Sequence, residues 1–301
     1  KAVRTGPNIS GLPGVPMGYD MALKEFGSMS WAQVAAPAIK LAEEGFPVYS
    51  RLADGIKNAY TKISKYNADK MNEVRYLDSE GMPLEAGDHL ILPELAKTLK
   101  DLVALGPDVF YHGYIGQSMV NAINGAGGKW TMEDLDHYKV LTPEAVRGTY
   151  RGEYEIISMP PPSSGGAHLI QILNMLEHFD VKSMGHNSVA YISVLADILK
   201  LVFADRAAYL GGDPTFVDSP IIGLTSKEYA KTLVPLIDPT KALTTVKPGD
   251  PMPYEHDETT HFSVIDEEGN IVAVTQTVNG GFGCGVIATD TGIVMNDELT
   301  D

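Results

Sequence analysis

Thr259-Thr260-His261-Phe262-Ser263-Val264-Ile265-Asp266, then Glu267-Glu268-Gly269-Asn270, then Ile271-Val272-Ala273-Val274-Thr275-Gln276-Thr277 is the most informative part of the chain. Both outer runs alternate apolar and polar residues with the period of a β-strand. Between them, Gly269 suits the positive-φ position of a three-residue hairpin loop closed by Asp266 and Asn270. In that register Ile265 faces Ile271, His261 faces Thr275 and Thr259 faces Thr277. Cross-strand neighbours approach closely enough for their hydroxyls to hydrogen-bond. A two-residue loop would instead bring Gln276 opposite Thr259, so the pairing depends on Gly269.

A threonine hydroxyl is a weak nucleophile unless a base stands beside it, and one solution is the residue's own α-amino group, freed by a chain break just before it. The preceding segment, residues 246–258, carries three prolines, a glycine and four carboxylates, and reads as an extended exposed linker. A polar linker ending at a strand-borne Thr-Thr is a fitting place for self-cleavage. The plainer alternative is that Thr259 and Thr260 simply begin a strand, a common role for β-branched residues.

Other candidates for chemistry are weaker. Ser158-Met159-Pro160-Pro161-Pro162-Ser163-Ser164-Gly165-Gly166 is predicted to join a strand to a helix in which Leu169, Ile172, Leu173 and Leu176 share a face. Such a helix start suits an anion, but no lysine follows the glycines, so a nucleotide P-loop is not supported. Ser163 and Ser164 are left as N-caps, anion ligands or a nucleophile. The cluster Gly280-Gly281-Phe282-Gly283-Cys284-Gly285 leads into a strand-like run rather than a helix, which favours close backbone approach over dinucleotide binding. Cys284 lacks any visible base or electropositive setting for a thiol nucleophile. The eight histidines show no metal-ligand spacing, so neither a catalytic metal nor a cofactor is expected.

The N-terminal half reads as mostly helical. A helix is predicted from Ser30 to Glu44, kinked at Pro37 and ended by Gly45. Another opens at Pro93 with an apolar stripe of Leu95, Leu99, Leu102 and Val103 and stops at Gly106-Pro107. Thr131 with Asp134 forms a capping box for a short helix reaching Tyr138. From Gly148 the pattern becomes strand-like, turning through Gly152, and residues 188–210 form a long apolar helix expected to pack across a sheet.

Composition bounds the function. At 301 residues and 44% hydrophobic content the chain can bury a sizeable core, as one large domain or two. Twenty-three basic against thirty-nine acidic residues give a net charge of −16, which opposes a nucleic-acid partner. No run is long and apolar enough to span a membrane. The single cysteine excludes an internal disulfide framework and leaves the compartment open.

Several motifs in order carry a resemblance across essentially the whole chain. They are Ala38-Ile39-Lys40-Leu41-Ala42 with Gly45-Phe46, the Pro-Pro-Pro-Ser-Ser-Gly-Gly run with His168-Leu169-Ile170-Gln171-Ile172-Leu173-Asn174, and Ala204-Asp205-Arg206 with Tyr209-Leu210-Gly211. After them come the hairpin with Thr277 and Asn279, and Gly292-Ile293-Val294-Met295-Asn296-Asp297-Glu298. In these the chain resembles the gamma-glutamyltranspeptidase family. The resemblance implies an α+β fold, the N-terminal-nucleophile hydrolase αββα sandwich, incomplete in this chain. It also implies a large-subunit portion at residues 1–258 and the start of a small subunit at 259–301. Because Lys1 is not an initiator methionine and Asp301 follows directly on a motif, an internal portion of a longer precursor is expected, with the carboxylate-gripping arginine and serines and the oxyanion-hole glycines elsewhere.

By the same resemblance, Thr259 attacks the carbonyl of Glu258 to cut the precursor, then serves as the acyl-enzyme nucleophile. Thr277 orients it, while Asn279, Glu298 and Asp301 bind the α-carboxylate and α-amino groups of a γ-glutamyl substrate. Water or an amine is the acceptor, and the remainder of the precursor is the protein partner. Glu258 and Thr300 depart from the family, which often has an amide-bearing residue at the first position and an acidic one at the second. Family resemblance implies an extracellular or periplasmic setting, with the cytoplasm left open. Two rivals stand beside this reading: a serine hydrolase using Ser163 or Ser164, and a non-catalytic binding homologue that stays uncut.

Overall fold

A computed structural model describes residues 5–210, 219–248 and 260–300 of the chain. Glu258, Thr259 and Asp301 lie outside the described residues, as does most of the segment leading to Thr259. The chain forms two compact units, one of residues 1–141 with 257–300 and one of residues 142–256.

In the first unit α1 (Val15–Phe26) leads to α2 (Trp31–Glu44), which opens on a capping box at Ser30. The Ser30 Oγ accepts from the Gln33 amide at 3.4 Å, and the Gln33 side-chain oxygen accepts from the Ser30 amide at 2.9 Å. α2 continues through Pro37 and ends where Gly45, at φ 76°, donates its N–H to Leu41. A short ladder of β1 (Phe46–Pro47) and β2 (His89–Leu90) flanks α3 (Ser50–Tyr66) and leaves no room for a Cβ at Gly45. α4 (Pro93–Leu105), α5 (Asp108–Tyr111), α6 (Tyr114–Gly125) and α7 (Met132–Asp136) follow. The box of Thr131 and Asp134 opens α7 as predicted, although the helix stops short of Tyr138.

The second unit begins with β3 (Val146–Tyr150) and β4 (Tyr154–Ser158), an antiparallel pair turning through Arg151 and Gly152 at φ 55° and 65°. α8 (Gly165–Leu176), α9 (Val181–Met184), α10 (Val189–Tyr209), α11 (Ile221–Leu224) and α12 (Lys227–Leu233) complete it. Met175 and Leu176 of α8, Val194, Ile198, Leu201 and Val202 of α10, and Ala230 and Leu233 of α12 share one core. The long helix α10 therefore packs among helices rather than across a sheet. The buried face of α8 also differs from the predicted stripe. Leu169 is exposed, while His168, Gln171 and Asn174 are buried, because the helix is covered on a second side by the β3–β4 hairpin, where Gly148 makes room for Ile170.

The chain returns to the first unit with β5 (Thr260–Ile265) and β6 (Ile271–Gln276), then β7 (Ile287–Ala288) and β8 (Ile293–Val294), each pair antiparallel. Cys284, Val286, Ala288 and Met295 enter the same core as Phe110, Tyr111, Ile115, Met119 and Ile123. This segment also reshapes α4. The Thr98 hydroxyl donates to the Thr291 carbonyl at 2.8 Å, and Gly292, at φ 72°, lies against the backbone of Leu95. Ala96, Thr98 and Leu102 are consequently the buried face, with Leu95, Leu99 and Val103 only half-buried. None of the described helices is long and apolar enough to cross a membrane.

Candidate active site

The hairpin has the predicted register. Ile265 pairs with Ile271, His261 with Thr275 and Thr260 with Gln276. Gly269 sits at φ 86°, and the closing residues exchange a bond from the Asp266 N–H to the Asn270 carbonyl at 3.1 Å. The Asp266 carboxylate caps the loop, accepting from the amides of Glu268 at 3.0 Å and Asn270 at 2.8 Å and from the Asn270 side chain at 2.7 Å. These bonds, led by the Asn270 side chain, hold the Asp266 carboxyl below its ordinary pKa. Loop chemistry thus locks the strands against slipping, and a slip of one residue would turn every side chain to the opposite face.

Thr277 follows β6 directly. Its Oγ1 accepts from the Asn279 amide at 2.7 Å, and Asn279 takes the left-handed conformation at φ 64°, which asparagine tolerates better than most residues. The Asn279 side chain donates to the Asp297 carbonyl at 3.3 Å. The Asp297 N–H donates to the Val278 carbonyl at 3.0 Å, and its Oδ1 accepts from the Gly280 amide at 2.7 Å. Gly280 is needed there, since a Cβ would lie 2.9 Å from the other Asp297 oxygen. Next to Asp297, the Asn296 Oδ1 accepts from the amides of Gly11 at 2.8 Å and Glu298 at 3.0 Å, and its Nδ2 donates to the Gly11 carbonyl at 2.8 Å. Glu298 opens a short 3₁₀ turn, Glu298–Thr300.

Of the predicted site residues, Thr277, Asn279 and Glu298 are therefore gathered around one corner, joined through residues 296–298. Sequence reasoning missed the roles of Asn296 and Asp297. Their only advance signal was their place in the Met295-Asn296-Asp297-Glu298 run, because their partners lie far away in the chain.

The glycine cluster has the close backbone approach expected of it. Gly283, at φ 48°, abuts the Met295 carbonyl so tightly that a Cβ would overlap it. Its own carbonyl accepts from the Lys62 ammonium at 2.6 Å. Cys284 is fully buried, and that burial raises its thiol pKa, which suits a packing residue and not a nucleophile. Among the described residues no His, Cys, Asp or Glu group is arranged to hold a metal ion.

The serine loop of the second unit is built differently. Ser164 makes no side-chain cap to α8; its Oγ accepts from the Arg206 Nε at 2.9 Å. Beside Arg206, the fully buried Asp205 carboxylate accepts from Gln171 at 2.5 Å and from the Tyr229 hydroxyl at 2.9 Å. Burial, reinforced by Asp205, raises the Tyr229 pKa. A guanidinium donor withdraws electron density from the serine oxygen and cannot take its proton, so Arg206 cannot serve as a general base for Ser164. The Ser163 Oγ accepts from the Gly165 amide at 3.4 Å.

Residues 1–301 match the protein family described as Gamma-glutamyltranspeptidase. The chain is 43% identical over 294 residues to the glutathione hydrolase proenzyme of Escherichia coli strain K12, covering 97% of this chain and 50% of the relative. It resembles the crystal structure of Helicobacter pylori gamma-glutamyltranspeptidase with a TM-score of 0.74 at 37% identity, over 81% of this chain and 69% of that one. The structure of cephalosporin acylase from Bacillus halodurans matches with a TM-score of 0.85 at 27% identity, over 100% of this chain and 54% of that one. The chain spans about half the length of the curated relatives it matches. Its mixed helix and sheet is the α+β fold of the N-terminal-nucleophile hydrolases. This chain belongs to the gamma-glutamyltranspeptidase family.

Proposed function

We propose that this chain is part of an enzyme precursor that cuts itself before Thr259 and then transfers or hydrolyses γ-glutamyl groups. The observation that carries the reading is the β5–β6 register through Thr260 and Gln276, which, continued by one pair, is the one that brings Thr259 opposite Thr277. Thr277 suits an orienting role. A hydroxyl that accepts an N–H, as Thr277 does from Asn279, keeps one O–H to donate.

In the precursor the Thr259 Oγ attacks the Glu258 carbonyl. The C–N bond breaks as the acyl group moves from nitrogen to oxygen, and water hydrolyses the ester. The products are a carboxylate on Glu258 and a free α-amino group on Thr259, with an ordinary pKa of about 7.7 to 8.0 that lets it accept a proton near neutrality. In turnover that amine takes the Thr259 hydroxyl proton while the oxygen attacks the γ-glutamyl carbonyl, expelling the amine product. Water or an acceptor amine then resolves the acyl-enzyme. Asn279, Glu298 and Asp301 are assigned to the glutamyl α-carboxylate and α-ammonium, the carboxylates pairing with the ammonium. The relatives' names, glutathione hydrolase proenzyme above all, support the γ-glutamyl donor and the self-cut precursor.

The partner is the remainder of the precursor, and the two parts divide at residue 258. Val264, Ile265, Ile271 and Val272 are exposed, and an isolated two-stranded hairpin is marginal alone, so cover from the rest of the precursor is physically reasonable. No feature of the serine loop favours the rival hydrolase. Intact mass of the full-length protein tests the proposal: two fragments with Thr259 as a new N-terminus are expected, together with anilide release from a γ-glutamyl anilide that an acceptor dipeptide accelerates. One stable chain after prolonged incubation, or turnover that survives Thr259→Ala, overturns it.

A further inference from the structure

Three bonds make Asp297 the centre of the corner that holds Thr277 and Asn279. Its N–H reaches Val278, its carbonyl accepts from the Asn279 side chain, and its Oδ1 accepts the Gly280 amide at 2.7 Å. Asp297 is 5% exposed, and its carboxylate stands where a Gly280 side chain would collide with it. The Gly280 amide belongs to the peptide whose other end is Asn279, and the Asn279 amide is the donor to Thr277 Oγ1. The Asn279 amide itself lies in the preceding peptide, whose Val278 carbonyl accepts from the Asp297 N–H at 3.0 Å, so Asp297 anchors the peptides on both sides of Asn279. Loss of the Gly280 anchor would free the Asn279 backbone torsions, and with them the direction of the donor to Thr277 and the placement of the Asn279 side chain.

Asn279 occupies a left-handed conformation at φ 64°, which costs a non-glycine residue free energy and persists only where surrounding bonds enforce it. Local sequence alone does not enforce it. An anionic acceptor binds an N–H about twice as strongly as a neutral one, and burial keeps water from competing for the Gly280 amide. Asn296 fixes the other flank, since its side chain spans Gly11 and Glu298 and leaves Asp297 little freedom to withdraw.

We propose that Asp297 is a positioning residue for the reaction, acting through the Gly280 amide to set the orientation of Thr277 and Asn279 without touching substrate itself. The inference rests on the γ-glutamyl transfer reading. Asp297 sharpens that reading by giving one buried carboxylate control of both the nucleophile's partner and a substrate contact. Geometry of this kind acts on the transition state, where small misplacements are costly, more than on ground-state binding.

The test uses the full-length precursor with Asp297→Ala and Asp297→Asn, reading self-cleavage by intact mass, kcat and KM on a γ-glutamyl anilide, and hydrogen exchange at the Gly280 amide. Asp297→Ala is expected to lower kcat on the order of tenfold or more, with KM changed by less than about threefold, to slow self-cleavage and to speed Gly280 exchange. Asp297→Asn keeps an acceptor oxygen and is expected to recover most of kcat and of the exchange protection. Should Asp297→Ala fail to fold, Asp297→Ser, whose side chain ends one atom short of the Gly280 amide, takes its place: a lower kcat that tracks faster Gly280 exchange supports the role, and exchange and kcat both unchanged overturn it. A folded Asp297→Ala with wild-type kcat, or one that raises KM alone, likewise overturns the positioning role while Thr259 chemistry stands. An uncut, inactive wild type overturns the underlying reading instead, so the two failures are distinct.

Discussion

The turn after β6 and the loop before α8 begin from the same kind of sequence, a strand running into small and hydroxyl-bearing residues, yet their hydroxyls occupy opposite electrostatic settings. Thr277 accepts from a neutral backbone amide, and its orientation is dictated by a corner in which every partner is itself held. Ser164 accepts from the guanidinium of Arg206, a buried cation that stabilises the oxygen's lone pairs and offers no base. A hydroxyl's usefulness as a nucleophile, or as the partner of one, depends on whether its neighbours donate or accept. Residue type alone is silent on that difference.

The largest expected effect breaks or upholds this contrast directly. In the full-length precursor Thr259→Ala is expected to abolish self-cleavage and to lower turnover on the order of 10³-fold or more, as removal of a nucleophile does. Ser164→Ala is expected to leave both within about twofold, as measured by intact mass and anilide release. A reversed result would move the chemistry to the second unit.

Backbone packing separates the two regions next. Gly283→Ala combines a left-handed φ with overlap on the Met295 carbonyl, whereas Gly152→Ala, in the β3–β4 turn, has the left-handed φ but open space around it. Urea unfolding should show a loss of about 3 kcal/mol or more for Gly283→Ala and about 1 kcal/mol for Gly152→Ala. Equal losses would mean that the 283–295 contact adds nothing to conformational strain.

Asp205→Ala measures the polar core of the second unit. It strips the Tyr229 hydroxyl and the Gln171 amide of their shared acceptor, and a loss of about 2 to 4 kcal/mol is expected by denaturant titration. Restoring much of that stability by also replacing Gln171 with leucine and Tyr229 with phenylalanine would identify the unsatisfied donors as the cause.

The smallest effect concerns Cys284. Its folded pKa lies above the unfolded value because burial penalises the thiolate. The folded state therefore holds the proton more tightly. The associated stability is present in full below the unfolded pKa of about 8.5 and is lost as pH rises through and above it. Urea midpoints should fall between pH 8 and pH 10 more in the native protein than in Cys284→Ala. A disulfide reagent should label the thiol only on unfolding.

Legibility in the sequence followed range. The helix start at Ser30, the capping box at Thr131, the stop at Gly106, the turn at Gly152 and the hairpin at Gly269 were all readable, since each is made by residues within four positions of one another. The predicted faces of α4 and α8 were displaced, because a periodic stripe assumes one buried side. α4 is packed by the 288–292 turn, and α8 by a hairpin as well as by helices. Buried Thr98, Gln171 and Asp205 break the apolar pattern, and only their distant partners make their burial tolerable.

What the amino-acid order determined by itself was the hairpin's register, its loop and the candidates it carries, because hydrogen bonds between near neighbours and the φ freedom of one glycine leave little choice. Tertiary structure alone decided which hydroxyl meets a cation and which meets an amide. It also decided that Asp297 and Asn296 hold the corner around Thr277. Those outcomes depend on residues such as Gly11 and Asn296, separated by 285 positions and joined only once the core has closed around them.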